Sequence, residues 1–380
     1  MPPLARQHES SLSPQEGEED GGVRSLTTES RKGAAPRVAI TTAASRVFAL
    51  AGGLLLAGLI ALPLIASRSL LQDLVFIFYM LTLAQFWNLL AGYTGLVSVG
   101  QQTFVGLGGY LLFALTVMAD LDPLLAIPLS GLVAAAFAVP TAFVVFRLHG
   151  AYFAVGTWVV AEVYRLGFAQ VKPLGGGTGT SLPPEVTNAI FGIDWIKVTL
   201  GLRTPAARDI LTYWIALAIA AGSVLAIYLV LRSRRGLALA AIRDQATAAS
   251  SIGIDIFRTK LWIYILTAAG TGMVGALIYL QKARISPDAA FSVLDWTADV
   301  IFIVVIGGIG TLEGPIAGVV IFYLMQTYLA GFGSWYLILL GALAIVTMLF
   351  APKGLWGHFS HRFGIVLFPV QRRVAVPAEP

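Results

Sequence analysis

Few residues in this chain have the type and spacing for bond-making chemistry. It has no cysteine, which removes disulfides, thiol nucleophiles and thiolate metal sites. Its four histidines, His8, His149, His358 and His361, fall in the tails or near span ends and make no metal-ligand pattern. Two glycine-rich strings resemble phosphate cradles. Leu174 to Pro183 reads LGGGTGTSLP, but no lysine follows in P-loop spacing. Gly308-x-Gly310-x-x-x-Gly314 has no strand–helix–strand unit around it to hold a dinucleotide. No catalytic residue and no metal site are assigned. What remains is charge in unusual places. Glu162 and Arg165 lie inside an apolar run, where an ionisable group is costly and marks a function or a partner. They stand one helical turn apart and can pair, so a structural ion pair and a functional carboxylate both stand as readings. Asp73, Asp299 and Glu313 are the other acids in or beside apolar runs.

The elements that must position these residues are membrane helices. Apolar residues make up 57% of the chain and charged residues 12%, against about 25% charged in soluble domains. In lipid every backbone polar group must be paired internally, and long apolar runs without two-residue alternation select helices over a barrel. At about 20 residues per span the chain has room for roughly eight to ten, and the expected fold is an all-α polytopic bundle of about 9–10 helices. The net charge of +5 is explained by arginines in cytoplasmic loops and requires no nucleic acid.

The organising stretch is the polar interval Arg232 to Lys260, RSRRGLALAAIRDQATAASSIGIDIFRTK. Arg232, Arg234, Arg235, Arg243, Arg258 and Lys260 assign it to the cytoplasmic side. Ala238 to Ser251 is alanine-rich without Pro or Gly and is expected to be helical, with Gly253 as the C-terminal cap. The interval is either a solvated linker or a coupling helix whose small side chains let a partner approach closely.

Residues 1–45 are polar, with an acidic patch before a basic one, and are expected to be a disordered cytoplasmic tail without a secretory signal. Residues 46–356 form the expected transmembrane domain, with 232–260 as its coupling loop, and 357–380 a second cytoplasmic tail. Six glycines between Asn88 and Tyr110 mean either tight helix packing or a broken helix lining a polar path. Gly310, Gly314 and Gly318, spaced by four, are expected to make a second break inside the bundle.

Several of these strings resemble one family. Gly236 to Ile254, GLALAAIRDQATAASSIGI, is similar to the cytoplasmic loop of permease subunits from ABC importers of branched-chain amino acids. The run carrying Asn88, Gly92, Tyr93, Gly95, Ser98, Gly100, Gln101, Phe104, Gly106, Gly108 and Tyr110 resembles a second family pattern. It departs at Gly109, where the family has alanine. Gly150 to Ala154, Ala161 to Arg165, Ile285 to Pro287 and Gly307 to Pro315 resemble further segments, so the likeness covers roughly residues 48–356.

The resemblance implies a membrane subunit of an ATP-driven importer that hydrolyses nothing itself and binds no cofactor. ATP and Mg²⁺ would sit in two partner ATPases, a second related permease would complete a heterodimer in the lipid bilayer of the bacterial inner membrane, and an external binding protein would deliver the solute. It implies a coupling role for Gly236, Arg243, Asp244, Ala248, Ala249 and Gly253. It implies a translocation path through Asn88, Gly92, Tyr93, Gly95, Ser98, Gly100, Gln101, Glu162, Gly307, Gly308, Gly310 and Gly314. Leucine, isoleucine and valine are the expected solutes, with urea or short amides as the alternative. An ion-coupled secondary transporter is the competing class, and Glu162 is its candidate coupling acid.

Overall fold

The computed structural model of the chain describes residues 37–39, 43–351, 353–363, 367–368 and 373–375. Most of the expected N-terminal tail and of residues 364–380 therefore lies outside the described residues. The chain divides into two compact units, residues 39–373 and a small one from residues 1–38 and 374–380. The described residues of the small unit belong to two short paired strands, β1 (Arg37–Ala39) and β4 (Arg373–Ala375).

The large unit is helical throughout. Its long elements are α1 (Ala43–Ala61), α2 (Arg68–Thr94), α3 (Gln102–Phe113), α4 (Pro123–Val145), α5 (Ala151–Ala169), α8 (Thr204–Arg232) and α11 (Ile256–Lys282), then α13 (Asp299–Gly307), α14 (Gly314–Leu329) and α15 (Ser334–Phe350). Shorter ones are α6 (Pro184–Asn188), α7 (Ile193–Leu200), α9 (Arg234–Asp244), α10 (Ala246–Ser251), α12 (Pro287–Ala290) and α16 (Gly354–Phe363). Among the described residues, six helical segments are long and apolar enough to cross a membrane, and three shorter apolar ones accompany them. The protein is an all-α polytopic membrane protein.

Local chemistry sets the ends. The Ser67 hydroxyl accepts from the Leu70 N–H to start α2, and Asp122 and Asp255 cap α4 and α11 in the same way, each supplying an acceptor for an orphan first-turn donor. Pro128 and Pro140 lie within α4, where each removes a backbone donor. Residues 170–203, between α5 and α8, contain α6, α7 and a strand, β2 (Thr180–Ser181), which pairs antiparallel with β3 (Arg284–Ile285). The C-terminal segment expected to be a tail from residue 357 begins inside α16.

Helix α11 is central and packs on α2, α3, α4 and α8. Without a hydrophobic drive between helices in lipid, close van der Waals contact has to hold them, and glycine supplies it. A Cβ on Gly108 of α3 would stand 2.0 Å from the Gly272 carbonyl oxygen of α11, and one on Gly275 would stand 2.1 Å from the Val105 carbonyl oxygen. Gly270 faces the Phe86 ring of α2 just as tightly, at 2.0 Å. Helices α2 and α11 are mostly buried, whereas α15 is almost wholly exposed on this single chain.

One expectation changes. The alanine-rich run is not one helix: Gln245 adopts an extended conformation (φ −159°, ψ 105°) and splits it into α9 and α10. The second glycine string breaks the bundle as expected, but between two helices. It is a turn, residues 308–313, joining antiparallel α13 and α14, which cross so closely that a Cβ on Gly318 would meet the Ile303 carbonyl oxygen at 2.0 Å.

Replacing Gly108 with leucine is expected to abolish recovery of folded protein from detergent-solubilised membranes. Gly222→Ala, at a glycine with open space around it, is expected to leave recovery unchanged in size-exclusion profiles of the two variants.

Candidate functional site

Two non-helical stretches lie against the same helix, α2. The first, residues 95–101, starts where Gly95 (φ +73°) ends α2 in the left-handed conformation, with Leu96 N–H donating back to the Leu90 carbonyl at 3.3 Å. The chain then runs back along α2. The Trp87 indole N–H donates to the Ser98 carbonyl at 2.8 Å, and the Gln101 side-chain amide to the Leu83 carbonyl at 2.9 Å. Ser98 Oγ accepts from Gly100 N–H, and Thr157 of α5 takes the Val99 N–H at 3.1 Å. Gly100 is pressed on the same residue, since a Cβ there would stand 2.3 Å from the Thr157 carbonyl oxygen. Helix α3 therefore starts level with the middle of α2, a half-helix whose entry segment is buried at Ser98, Gly100 and Gln101 and exposed at Gly95 and Val97; irregular backbone at lipid depth is tolerated where protein covers it.

The second stretch is the 308–313 turn. Asn88 clamps it with both halves of its amide: Nδ2 donates to the Thr311 carbonyl at 2.8 Å and Oδ1 accepts from Gly310 N–H at 2.7 Å. Gln85, one turn earlier, donates to the Leu312 carbonyl at 2.8 Å. Gly92 makes room, because a Cβ there would sit 2.6 Å from both Asn88 Oδ1 and the Gly310 nitrogen. Gly308 (φ +136°) and Gly310 (φ +75°) adopt conformations open to glycine, and Thr311 Oγ1 ties the turn by donating to the Gly308 carbonyl and accepting from Gly314 N–H. Gly307 meets the Gly314 carbonyl at the base of the hairpin.

The polar interval meets this turn. A Cβ on Gly310 would lie 3.7 Å from Nη1 of Arg243, the last basic residue of α9. Asp244 pairs loosely with Arg243 at 3.6 Å, and both are exposed. Tyr93 feels the charges of Glu313 and Arg243. Gly236 lets α9 fold back on α8, since a Cβ there would stand 1.9 Å from the Leu231 carbonyl oxygen. Ala249 is buried and Ala248 exposed. Gly253 (φ +87°) ends α10 with Gly253 N–H to Ser250 carbonyl and Ile254 N–H to Ala249 carbonyl, a Schellman motif. From the other side, Gly354 at the start of α16 packs on Gly308, and Phe368 N–H donates to Glu313 Oε1 at 3.0 Å.

Glu162 is apart from this assembly. It lies on the exposed face of α5, held by Arg165 at 2.5 Å, and Arg165 also reaches Asp288. Tyr152, Val155, Val159, Val163 and Leu166 surround it on that face, all more than half exposed.

Comparison with known proteins agrees with the arrangement. The sequence profile described as "Branched-chain amino acid transport system / permease component" matches residues 69–348. The chain belongs to this family. Among curated relatives, the high-affinity branched-chain amino acid transport system permease protein LivM of Salmonella typhimurium is 28% identical over 333 residues, 84% of this chain and 77% of the relative. LivM of Escherichia coli is 28% identical over 309 residues, 78% and 72% of the two chains. A probable permease LivH of Methanocaldococcus jannaschii is 26% identical over 150 residues, 35% and 44%. No solved structure matches.

In this permease the structure brings Asn88, Gly92, Tyr93, Gly310 and Arg243 together, and sets Ser98, Gly100 and Gln101 against the same stretch of α2, residues 83–88. Sequence reasoning missed Gln85, Thr157 and Thr311. Gln85 was within reach, because it lies three residues before Asn88 and places a second amide on the same face of an apolar helix. Thr157 and Thr311 carry no comparable signal.

Asn88→Leu orphans the Gly310 N–H and the Thr311 carbonyl. At about 1–3 kcal/mol per unpaired buried group, the purified permease is expected to lose about 2–6 kcal/mol of stability, seen as a lowered unfolding midpoint in detergent. An unchanged midpoint would show that the clamp carries no load.

Proposed function

We propose that this chain is one of two permease subunits in an ATP-driven importer that carries leucine, isoleucine and valine across the bacterial inner membrane. The observation that carries this reading is the placement of the Arg243 guanidinium beside Gly310 of the 308–313 turn. A partner gripping α9 and α10 would press on a turn that Asn88 and Gln85 lock to α2, and α2 carries the entry strand of α3. Movement at the bundle's polar end would thereby reach its middle. The residues assigned to coupling are Gly236, Arg243, Asp244, Ala248, Ala249 and Gly253.

The basic residues of the 232–260 interval favour a cytoplasmic location for that end. With the helices alternating through the bilayer, both termini then lie in the cytoplasm. Two ATPase subunits would dock on α9 and α10 and hold the ATP and Mg²⁺. A solute-binding protein would dock at the opposite end, where α6, α7 and the β2–β3 pair lie. The second permease would cover the exposed face of α5, because an ion pair such as Glu162–Arg165 is expensive against lipid and is expected to face protein or water.

The test is a mild-detergent pull-down of the tagged chain from its own membrane. Two ATPases and a second permease should accompany it, and vesicles containing the complex should take up leucine when supplied with ATP and the binding protein. Recovery of the chain alone, under conditions that preserve other ABC complexes, would refute the assembly.

Gly253→Val is expected to leave the protein inserted and folded but to abolish ATP-driven uptake. The left-handed conformation costs a non-glycine residue about 1–2 kcal/mol, and open space around Gly253 confines the damage to the end of α10. Normal uptake by this variant in vesicles would remove α10 from the coupling path.

A further inference from the structure

A small cavity lies where the entry strand of α3 meets α11. Trp87, Leu90, Phe104 and Tyr264 form its apolar walls. Ser98, Gln101, Thr267 and Thr271 supply its polar lining, and each of the four is at most 5% exposed. Among the described residues, seven buried side-chain oxygens have no hydrogen-bond partner, and three of them are Gln101 Oε1, Thr267 Oγ1 and Thr271 Oγ1.

The two threonines depart from five others on the helices. Thr82, Thr116, Thr141, Thr212 and Thr347 each donate to the carbonyl four residues earlier, the ordinary way to satisfy a hydroxyl in an apolar helix. Thr267 and Thr271, one turn apart on α11, do not. The Gln101 amide is oriented by its bond to the Leu83 carbonyl, which leaves Oε1 as an open acceptor. An unpaired buried polar group costs about 1–3 kcal/mol, so three on the residues lining one cavity make it a place for a polar guest.

The lining carries no formal charge, so the ligand is neutral overall. It must offer N–H donors to Gln101 Oε1 and acceptors to the two hydroxyls. The first turn of α3 begins at the same cavity, and helix N-termini favour negative charge. Gln101 neighbours Leu83 near the middle of α2, and Thr267 and Thr271 flank the middle of α11. Half-helices meeting at mid-depth are where transporters hold solute.

We infer that this cavity is the station for the zwitterionic head of the amino-acid solute. The ammonium group donates to Gln101 Oε1, the carboxylate accepts from Thr267 and Thr271 at the α3 N-terminus, and the aliphatic side chain lies against Trp87 and Tyr264. In the conformation described here the cavity has room for roughly one water molecule, so the solute enters only when the bundle opens. This inference rests on the proposed transport function, and its test separates the two.

The chain has no cysteine, so Thr271→Cys places a single thiol in this subunit. Native vesicles holding the whole importer are treated with 2-aminoethyl methanethiosulfonate, with leucine, urea or neither present, and modification of this subunit is followed by mass. Labelling is expected, slowed about tenfold by leucine at ten times its half-protecting concentration. Protection by urea alone would overturn the zwitterion assignment. Absence of labelling, or labelling that no solute slows, would overturn the site even if leucine uptake is normal. Protection by leucine in vesicles that fail to import it would sustain the site and sink the importer reading instead.

A second arm replaces both hydroxyls, Thr267→Val with Thr271→Val. Uptake should fall about tenfold or more through loss of charge-assisted hydrogen bonds, while the unfolding temperature stays level or rises because two unpaired polar groups are removed. Thr82→Val should leave uptake unchanged. Undiminished uptake by the double variant, or loss of stability and assembly together, would show the hydroxyls to be structural only.

Discussion

Every peptide group at membrane depth has to find a partner inside the protein, and the rest of this structure depends on how that demand is met where helices stop. The chain interrupts its helices twice beside α2, and α2 repairs both gaps. Gln85 and Asn88 satisfy three backbone groups of the 308–313 turn. Trp87 satisfies Ser98, and the Leu83 carbonyl receives Gln101. Two successive turns of one helix thus anchor two segments more than 200 residues apart, which makes α2 the frame on which the half-helix and the turn are both hung. Hydrogen bonds in a low-dielectric interior are expensive to leave unmade, so the three pieces are expected to move together.

The second constraint is close approach. Gly108 on Gly272, Gly275 on Val105, Gly270 on Phe86 and Gly318 on Ile303 leave no room for a Cβ. Such contacts replace the hydrophobic drive that is missing between helices in lipid. They also resist sliding, because a backbone seated against a glycine has to climb over the next side chain to move along the axis. Changes of shape in this bundle are therefore better met by tilting one packed group against another than by shifting helices lengthwise.

How much of this was legible in the sequence varies with the physics. The long apolar helices read well, because charge or glycine bounds an unbroken apolar run. Glycine strings were ambiguous, since glycine serves an unwound strand and a tight antiparallel hairpin equally well. Residues 95–101 proved to be the former and 308–313 the latter. The split at Gln245 was invisible because glutamine is a good helix former and nothing local marks the break. Asn88 was read as part of a path, while its role as a clamp depends on a turn more than 200 residues later. Thr267 and Thr271 gave no signal at all, because a threonine in an apolar helix ordinarily bonds its own backbone and only the coordinates show that these two do not.

If α2, the α3 entry strand and the 308–313 turn behave as one body, the wall of the cavity that can part from them is the α11 side, bearing Tyr264, Thr267 and Thr271. On the proposed reading, Arg243 bears on Gly310 from outside the membrane-embedded helices, and a push there would tilt the α2 body about its glycine contacts with α11. A tilt of that kind opens the cavity at one end while closing it at the other, which alternating access requires. The same geometry explains why the polar oxygens sit at mid-depth: a solute head held there is reached from either end by a small rotation and is never stranded against lipid. It also separates the two charged features of the chain. On the proposed reading Arg243 lies on the lever, whereas Glu162, paired with Arg165 on the exposed face of α5, lies off it.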